Sequence, residues 1–219
     1  MQNVFSSMRA TFGKARAVAA VAIGVGVLMI HTAHAEANSR YAGFVIDANN
    51  GQVLYEDRAD EYRYPASLTK MMTLYLTFDA LSKGRIKLSD EMPVSRYAAG
   101  RPPTKLGLPA GAKLKVEEAV FSLITRSAND ASVTLAEYLA GSESAFAEMM
   151  TRTAHRLGMT RTTYRNANGL PNSEQRTTAR DQAKLGIALR EHFPQYYKFF
   201  STRSYSFRGR RLGNHNRVL

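Results

Sequence analysis

Apolar and polar residues alternate from Tyr41 to Ile46 and again from Gln52 to Glu56, which predicts two strands. Between them stands Asn49-Asn50-Gly51, where glycine supplies the positive φ of a tight hairpin turn. The period then changes. Leu68, Met71, Met72, Tyr75, Phe78 and Leu81 recur at helical spacing from Ser67 until Gly84 stops the run, so one face of a helix is expected to be buried. From Arg85 to Lys115, Gly and Pro punctuation predicts loops and short strands. Helices follow over Val116 to Ile124, Ala131 to Leu139 and about Glu143 to Leu157, with a polar break from Thr125 to Asp130. The Phe146, Met149, Met150 and Leu157 stripe reads as core. Thr178 with Asp181 forms a loose capping box for a helix reaching about His192, and Ser204 to Phe207, Gly209 and Leu212 suggest a second hairpin. Strands at both ends around a block of helices define an α+β fold, with the helical block packed on an antiparallel sheet.

The first 35 residues are expected to be a secretory signal peptide. Arg9, Lys14 and Arg16 make a basic start, Ala17 to Ile30 an apolar stretch of 14 residues, and Ala33-His34-Ala35 a small-x-small cleavage site. That stretch falls short of the roughly 20 residues needed to cross a bilayer as a helix. Residues 36–219 then suit one domain. The chain has no cysteine, which excludes thiol catalysis and a disulfide framework. Its formal net charge of +12 suits anionic surfaces such as cell-wall polymers or lipid head groups, and serves solubility equally well. Arg203, Arg208, Arg210 and Arg211 interleave with Tyr205 and Phe207, but export argues for a solvated strand face rather than a nucleic-acid surface. The five histidines make no ligand pattern, so no metal or other cofactor is expected.

The candidate chemistry lies at two helix starts. Ser67 and Lys70 in Ser67-Leu68-Thr69-Lys70 are one helical turn apart and share a face, so a neutral Lys70 amine could take the serine proton. Burial would lower the lysine pKa, and the helix N-terminus favours negative charge near Ser67, whose N–H is a candidate oxyanion donor. Seen alone, the pair equally fits a capping serine with a solvated lysine. Ser127-Ala128-Asn129 changes the balance: Ser127 offers a proton relay, and Asn129 an amide to hold a substrate carbonyl or to orient Lys70. That triplet alone is also an ordinary helix cap.

These residues resemble the penicillin-recognising serine enzymes, with their Ser-x-x-Lys, Ser-Asp-Asn and Lys-Thr-Gly motifs. More closely, Tyr64 to Thr73, Ser122 to Ala131, Asn168-Gly169-Leu170-Pro171 and Asn214 to Leu219 are similar to the serine D-Ala-D-Ala carboxypeptidases, the low-molecular-mass penicillin-binding proteins. The resemblance implies a β-lactamase/transpeptidase-like fold and a periplasmic enzyme, peripheral to the inner membrane if its surface is also a partner. Its substrates would be peptidoglycan stem peptides, and β-lactam antibiotics would acylate the same serine. Ser67 would be the nucleophile, Lys70 the general base, Ser127 the proton relay and Asn129 a substrate-positioning group. Ala128 stands where the general pattern has Asp. No Lys-Thr-Gly triplet occurs, and the resemblance places it beyond Leu219, so the C-terminal strands are expected to be missing from this chain. That departure leaves a catalytically impaired wall-binding or interaction protein as the alternative. A β-lactamase is disfavoured, because Gly158 to Ser173 contains no carboxylate to activate a deacylating water.

Overall fold

The computed structural model describes residues 41–216, so the expected leader lies outside the described residues. Strands β1 (Gly43–Ile46) and β2 (Val53–Asp57) pair antiparallel, with an irregularity in register between Val45 and Ile46. The turn forms where the sequence places it: Asp47 and Asn50 side chains accept backbone N–H bonds from Asn49 and Gln52.

Helix α1 (Thr69–Ser82) is buried nearly all round rather than along one face. Apart from Lys70, its buried polar positions are short threonine hydroxyls that need no water. Thr73 Oγ1 donates to the Ala167 carbonyl and Thr77 Oγ1 to the Thr73 carbonyl, so threonines that look polar in sequence sit in the core at little cost. Against α1 pack α3 (Val116–Arg126), α4 (Asn129–Ala140), α5 (Glu143–Arg156) and α6 (Ala179–His192). Phe78, fully buried on α1, stacks on Tyr196 and meets Phe193, Phe199 and Phe200 edge-on, which closes the far end of the helix. The short helices α2 (Arg96–Ala99) and α7 (Pro194–Tyr197) complete the set.

The remaining strands are β3 (Glu91–Pro93), paired with β4 (Lys113–Lys115), and β5 (Ser204–Phe207), paired with β6 (Arg210–Gly213). Among the described residues the antiparallel strands therefore make three two-stranded ribbons, not one sheet. Each ribbon packs on helices, and the β5–β6 ribbon also reaches β4. Tyr205 of β5 stacks on Phe121 of α3, and Phe207 and Leu212 are buried. The arginines on this ribbon do more than face solvent. Arg208 donates to the Lys113 carbonyl and Arg210 to the Leu106 carbonyl, and both cover the Phe207 ring. The β1–β2 ribbon is held largely by Arg180 of α6, which lies over Phe44 and pairs with Glu56 and Asp60. Among the described residues, no helix is long and apolar enough to cross a membrane.

Candidate active site

Ser67 lies in a 3-10 turn, Ala66–Leu68, immediately ahead of α1 rather than in the α-helix itself. The reason is the backbone of Ala66, whose φ of 46° is left-handed and interrupts a continuous α-helical entry. Ser127, the C-cap of α3, has φ 57° and is left-handed as well. A non-glycine residue in this region costs about 1–3 kcal/mol and persists only when its surroundings hold it there. Two of the few such residues thus stand beside or at the two candidate hydroxyls.

What holds Ala66 is the segment from Asn166 to Leu170. Gly169 adopts φ 88°, and a Cβ placed on it would fall 1.9 Å from the Ala66 carbonyl oxygen and 3.1 Å from the Ser67 nitrogen. Only glycine fits that approach. One residue earlier, the Asn168 carbonyl accepts a 2.5 Å hydrogen bond from Lys70 Nζ. The Ala167 carbonyl accepts from both Thr73 Oγ1 of α1 and Ser132 Oγ of α4, at 2.7 and 2.5 Å. This short segment therefore joins the first turns of the two helices that carry the candidate motifs. Gln175 fixes its other side, accepting from the Arg165 and Asn166 nitrogens and donating to Thr69 Oγ1.

Within this frame Ser67 is exposed and Lys70 is only 4% exposed. Ser67 Oγ makes no hydrogen bond among the described residues, whereas the Lys70 amine is held from beneath by a backbone carbonyl. Desolvation lowers the Lys70 pKa from 10.5 to about 8, and burial is the cause. A shift of this size corresponds to about 3 kcal/mol disfavouring the ammonium form. Lys70 is therefore partly neutral near neutral pH, with a lone pair on a nitrogen one turn from an exposed serine.

Among the described residues, Ser127 Oγ is buried and has no hydrogen-bond partner, so no bond joins it to Ser67 or Lys70. A hydroxyl in that state is ready to donate or accept when a partner arrives. Asn129 is the first residue of α4, two positions earlier than the sequence pattern implies. Its Nδ2 donates to the Pro102 carbonyl and its N–H to the Thr104 carbonyl, while Thr104 Oγ1 donates to the Ser127 carbonyl. The 102–104 segment thus lies across the Ser127 turn and braces it. Asp130, unmarked by sequence reasoning, locks the same region: its carboxylate accepts backbone N–H bonds from Leu106, Gly107, Leu108 and Ala131.

Beside the serine opens an apolar groove of about 370 Å³, lined by Tyr64, Pro65, Ala66, Leu170, Pro171 and Gln175 among others. Sequence spacing brings Ser67 to Lys70 and Ser127 to Asn129, but the supports at Ala167, Asn168 and Gln175 lie too far along the chain for any local period to reveal. Asn168 falls in the Asn168-Gly169-Leu170-Pro171 stretch that carries the resemblance, and the local signal is the dense Asn and Gly content of Asn166-Ala167-Asn168-Gly169, a turn composition.

An exposed serine at the head of a buried helix, a depressed lysine one turn inside, and a second hydroxyl without a partner among the described residues place in an α+β fold the kinds of group that serine acyl transfer uses. The chain matches the D-alanyl-D-alanine carboxypeptidase family over residues 29–219 and belongs to that family. It is 38% identical over 184 residues to D-alanyl-D-alanine carboxypeptidase DacC of Escherichia coli (strain K12), covering 81% of this chain and 46% of that protein. The fold is similar to penicillin binding protein 5 from Haemophilus influenzae, with a TM-score of 0.76 and 32% identity, over 79% of this chain and 51% of that one. It is also similar to penicillin-binding protein D2 from Listeria monocytogenes in its ampicillin-bound form, with a TM-score of 0.68 and 28% identity, over 81% and 72% of the two chains. The chain spans less than half the length of the DacC relative. The fold is the transpeptidase-like α+β class that the motifs imply.

Proposed function

We propose that the protein is an exported serine D-Ala-D-Ala carboxypeptidase that acts on peptidoglycan stem peptides and is acylated by β-lactams at Ser67. The observation that carries this reading is the Lys70 amine, buried, hydrogen-bonded to Asn168 and depressed to about 8 by desolvation one turn behind an exposed serine. Membership of the carboxypeptidase family supports the reaction class, and the ampicillin complex of the Listeria relative supports the inhibitor class.

In this reading neutral Lys70 Nζ takes the Ser67 hydroxyl proton as Oγ attacks the carbonyl carbon of the terminal D-Ala-D-Ala amide. The carbonyl π electrons move to oxygen, where the Ser67 N–H at the helix head stabilises the developing charge. Collapse breaks the C–N bond. The departing D-Ala amine gains a proton by way of Ser127 Oγ, whose unpaired hydroxyl can donate to it and be reprotonated from Lys70. Water then attacks the Ser67 ester with Lys70 again as base, which releases the shortened peptide and restores the serine. Asn129 acts on the substrate from the α4 head, where its Nδ2 is aligned by the Pro102 carbonyl.

Fluorescent penicillin offered to the full-length protein tests the assignment. Covalent label mapped to Ser67 and lost in Ser67→Ala is the expected result; label that persists in Ser67→Ala overturns it.

A further inference from the structure

Glu143, the first residue of α5, is an unusual carboxylate. Acidic side chains at a helix start ordinarily face water and complement the helix dipole. This one is only 8% exposed and turns inward to a segment far along the chain. One carboxylate oxygen, Oε1, accepts from the Ala167 N–H and from Asn168 Nδ2, each at 2.9 Å. The other, Oε2, accepts from the Tyr97 hydroxyl of α2 at 2.7 Å. The residues it grips are the two whose carbonyls receive the site: Asn168 takes Lys70 Nζ, while Ala167 takes Thr73 and Ser132. Bonds to a charged acceptor are roughly twice as strong as neutral ones, so Glu143 is a firm restraint on that segment.

We propose that Glu143 is a positioning residue for Lys70, acting through Ala167 and Asn168, with Tyr97 setting the direction of its carboxylate. The proposal rests on the reading of Lys70 as the base. Glu143 acts by geometry rather than by its field. The charged groups that face it do so around Tyr97, where Arg101 lies 3.7 Å over the ring and Glu137 contributes from α4. The Lys70 pKa is lowered by burial, and the Glu143 bonds to Ala167 and Asn168 hold the segment that keeps it buried. Release of the 166–169 segment would admit water to Lys70 and let its acceptor drift. Its pKa would then climb back toward 10.5, and less neutral base would be present at a given pH.

The test uses Glu143→Ala, Glu143→Gln and Tyr97→Phe in the full-length protein. Two quantities are read against pH: the rate of acylation by fluorescent penicillin, and the reactivity of Lys70 toward acetic anhydride, followed on the Lys70 peptide by mass spectrometry. Glu143→Gln keeps an oxygen for the same two N–H groups and an amide that the Tyr97 hydroxyl can accept from. It should therefore retain the native midpoint in both titrations. Glu143→Ala should slow acylation on the order of tenfold to 100-fold, as expected for a base displaced by a fraction of an ångström. It should also move both midpoints up by about one pH unit. Tyr97→Phe should shift them the same way and less. A Glu143→Ala protein with an unmoved Lys70 midpoint overturns the proposal, as does a Glu143→Gln protein as impaired as the alanine variant. If Glu143→Ala does not fold, Tyr97→Phe carries the test, and an unmoved Lys70 midpoint there overturns it. Native protein that takes up no penicillin would overturn the proposed function; a Lys70 titration still dependent on Glu143 would then support the positioning role on its own.

Discussion

Lys70 and Asp130 are both charged, both buried, and each is the second residue of its helix, yet their surroundings differ in kind. Asp130 spreads its charge over four backbone N–H groups, from Leu106, Gly107, Leu108 and Ala131. Lys70 has one carbonyl, that of Asn168, and a pKa lowered to about 8. A buried charge with every lone pair occupied is a brace, because removing it strands the groups it satisfied. A buried charge with one partner is destabilised in its ionised form, which is what a base near neutral pH requires. The comparison separates the part of the site that holds shape from the part that holds reactivity.

Removing the brace should have the largest effect on stability. Asp130→Ala leaves four backbone donors, three of them buried, without their acceptor and should cost about 3–5 kcal/mol, the range seen when one partner of a buried charged network is lost. Denaturant unfolding measures it, and a loss within experimental error of zero would erase the distinction drawn between the two residues.

Lys70→Met should act in the opposite direction. Removing the desolvated ammonium relieves about 3 kcal/mol, and losing the bond to Asn168 returns part of it, so the variant should be about 1–2 kcal/mol more stable at neutral pH while acylation disappears. The sign follows from linkage. Lys70 has a folded pKa of about 8 against 10.5. Between those values the unfolded chain binds more protons, so native stability rises with pH across that window. Lys70→Met should lack that rise, and thermal unfolding of both proteins through the same window shows whether it does.

Ser127→Ala should have the smallest effect on stability. Its Oγ is buried without a partner, so deletion removes a desolvated hydroxyl and should change stability by less than about 1 kcal/mol, in the favourable direction. Acylation should nevertheless fall about 100-fold or more, as for loss of a proton-transfer group. A stability loss larger than that of Asp130→Ala would show that Ser127 is the brace and Asp130 is not.

Much of this arrangement was legible in sequence, and the boundary of legibility has a physical cause. The hairpin at Asn49-Asn50-Gly51, the helix after Ser67 and the turn at Ser127 are written in local periodicity and turn chemistry, which act over a few residues. The spacing of Ser67 and Lys70 is local too. What periodicity could not show is that α1 is buried all round, since Thr73 and Thr77 count as polar until their acceptors are known. Nor could it show that Asp130, one residue in a polar break, is a cross-brace to the 106–108 segment, or that Glu143 turns away from solvent. The Asp130 and Glu143 contacts to those segments join residues more than 20 positions apart through backbone N–H groups, and a backbone group carries no mark of its partner in the sequence. Among the described residues the antiparallel strands stand as three ribbons, and strand pattern reports pairing competence rather than which strands pair.

The central claim is that neutral Lys70 delivers Ser67 to an acyl donor, and the pH dependence of Ser67 acylation tests it most directly. Full-length protein is mixed with fluorescent penicillin from neutral to alkaline pH, and the rate of covalent labelling is followed with the site mapped by mass spectrometry. Label on Ser67 is expected, at a rate that climbs with pH to a plateau about a midpoint near 8, with no label in Lys70→Arg, whose guanidinium stays protonated. Label on any other residue, or a Ser67 rate that does not change as pH rises through that midpoint, would contradict it.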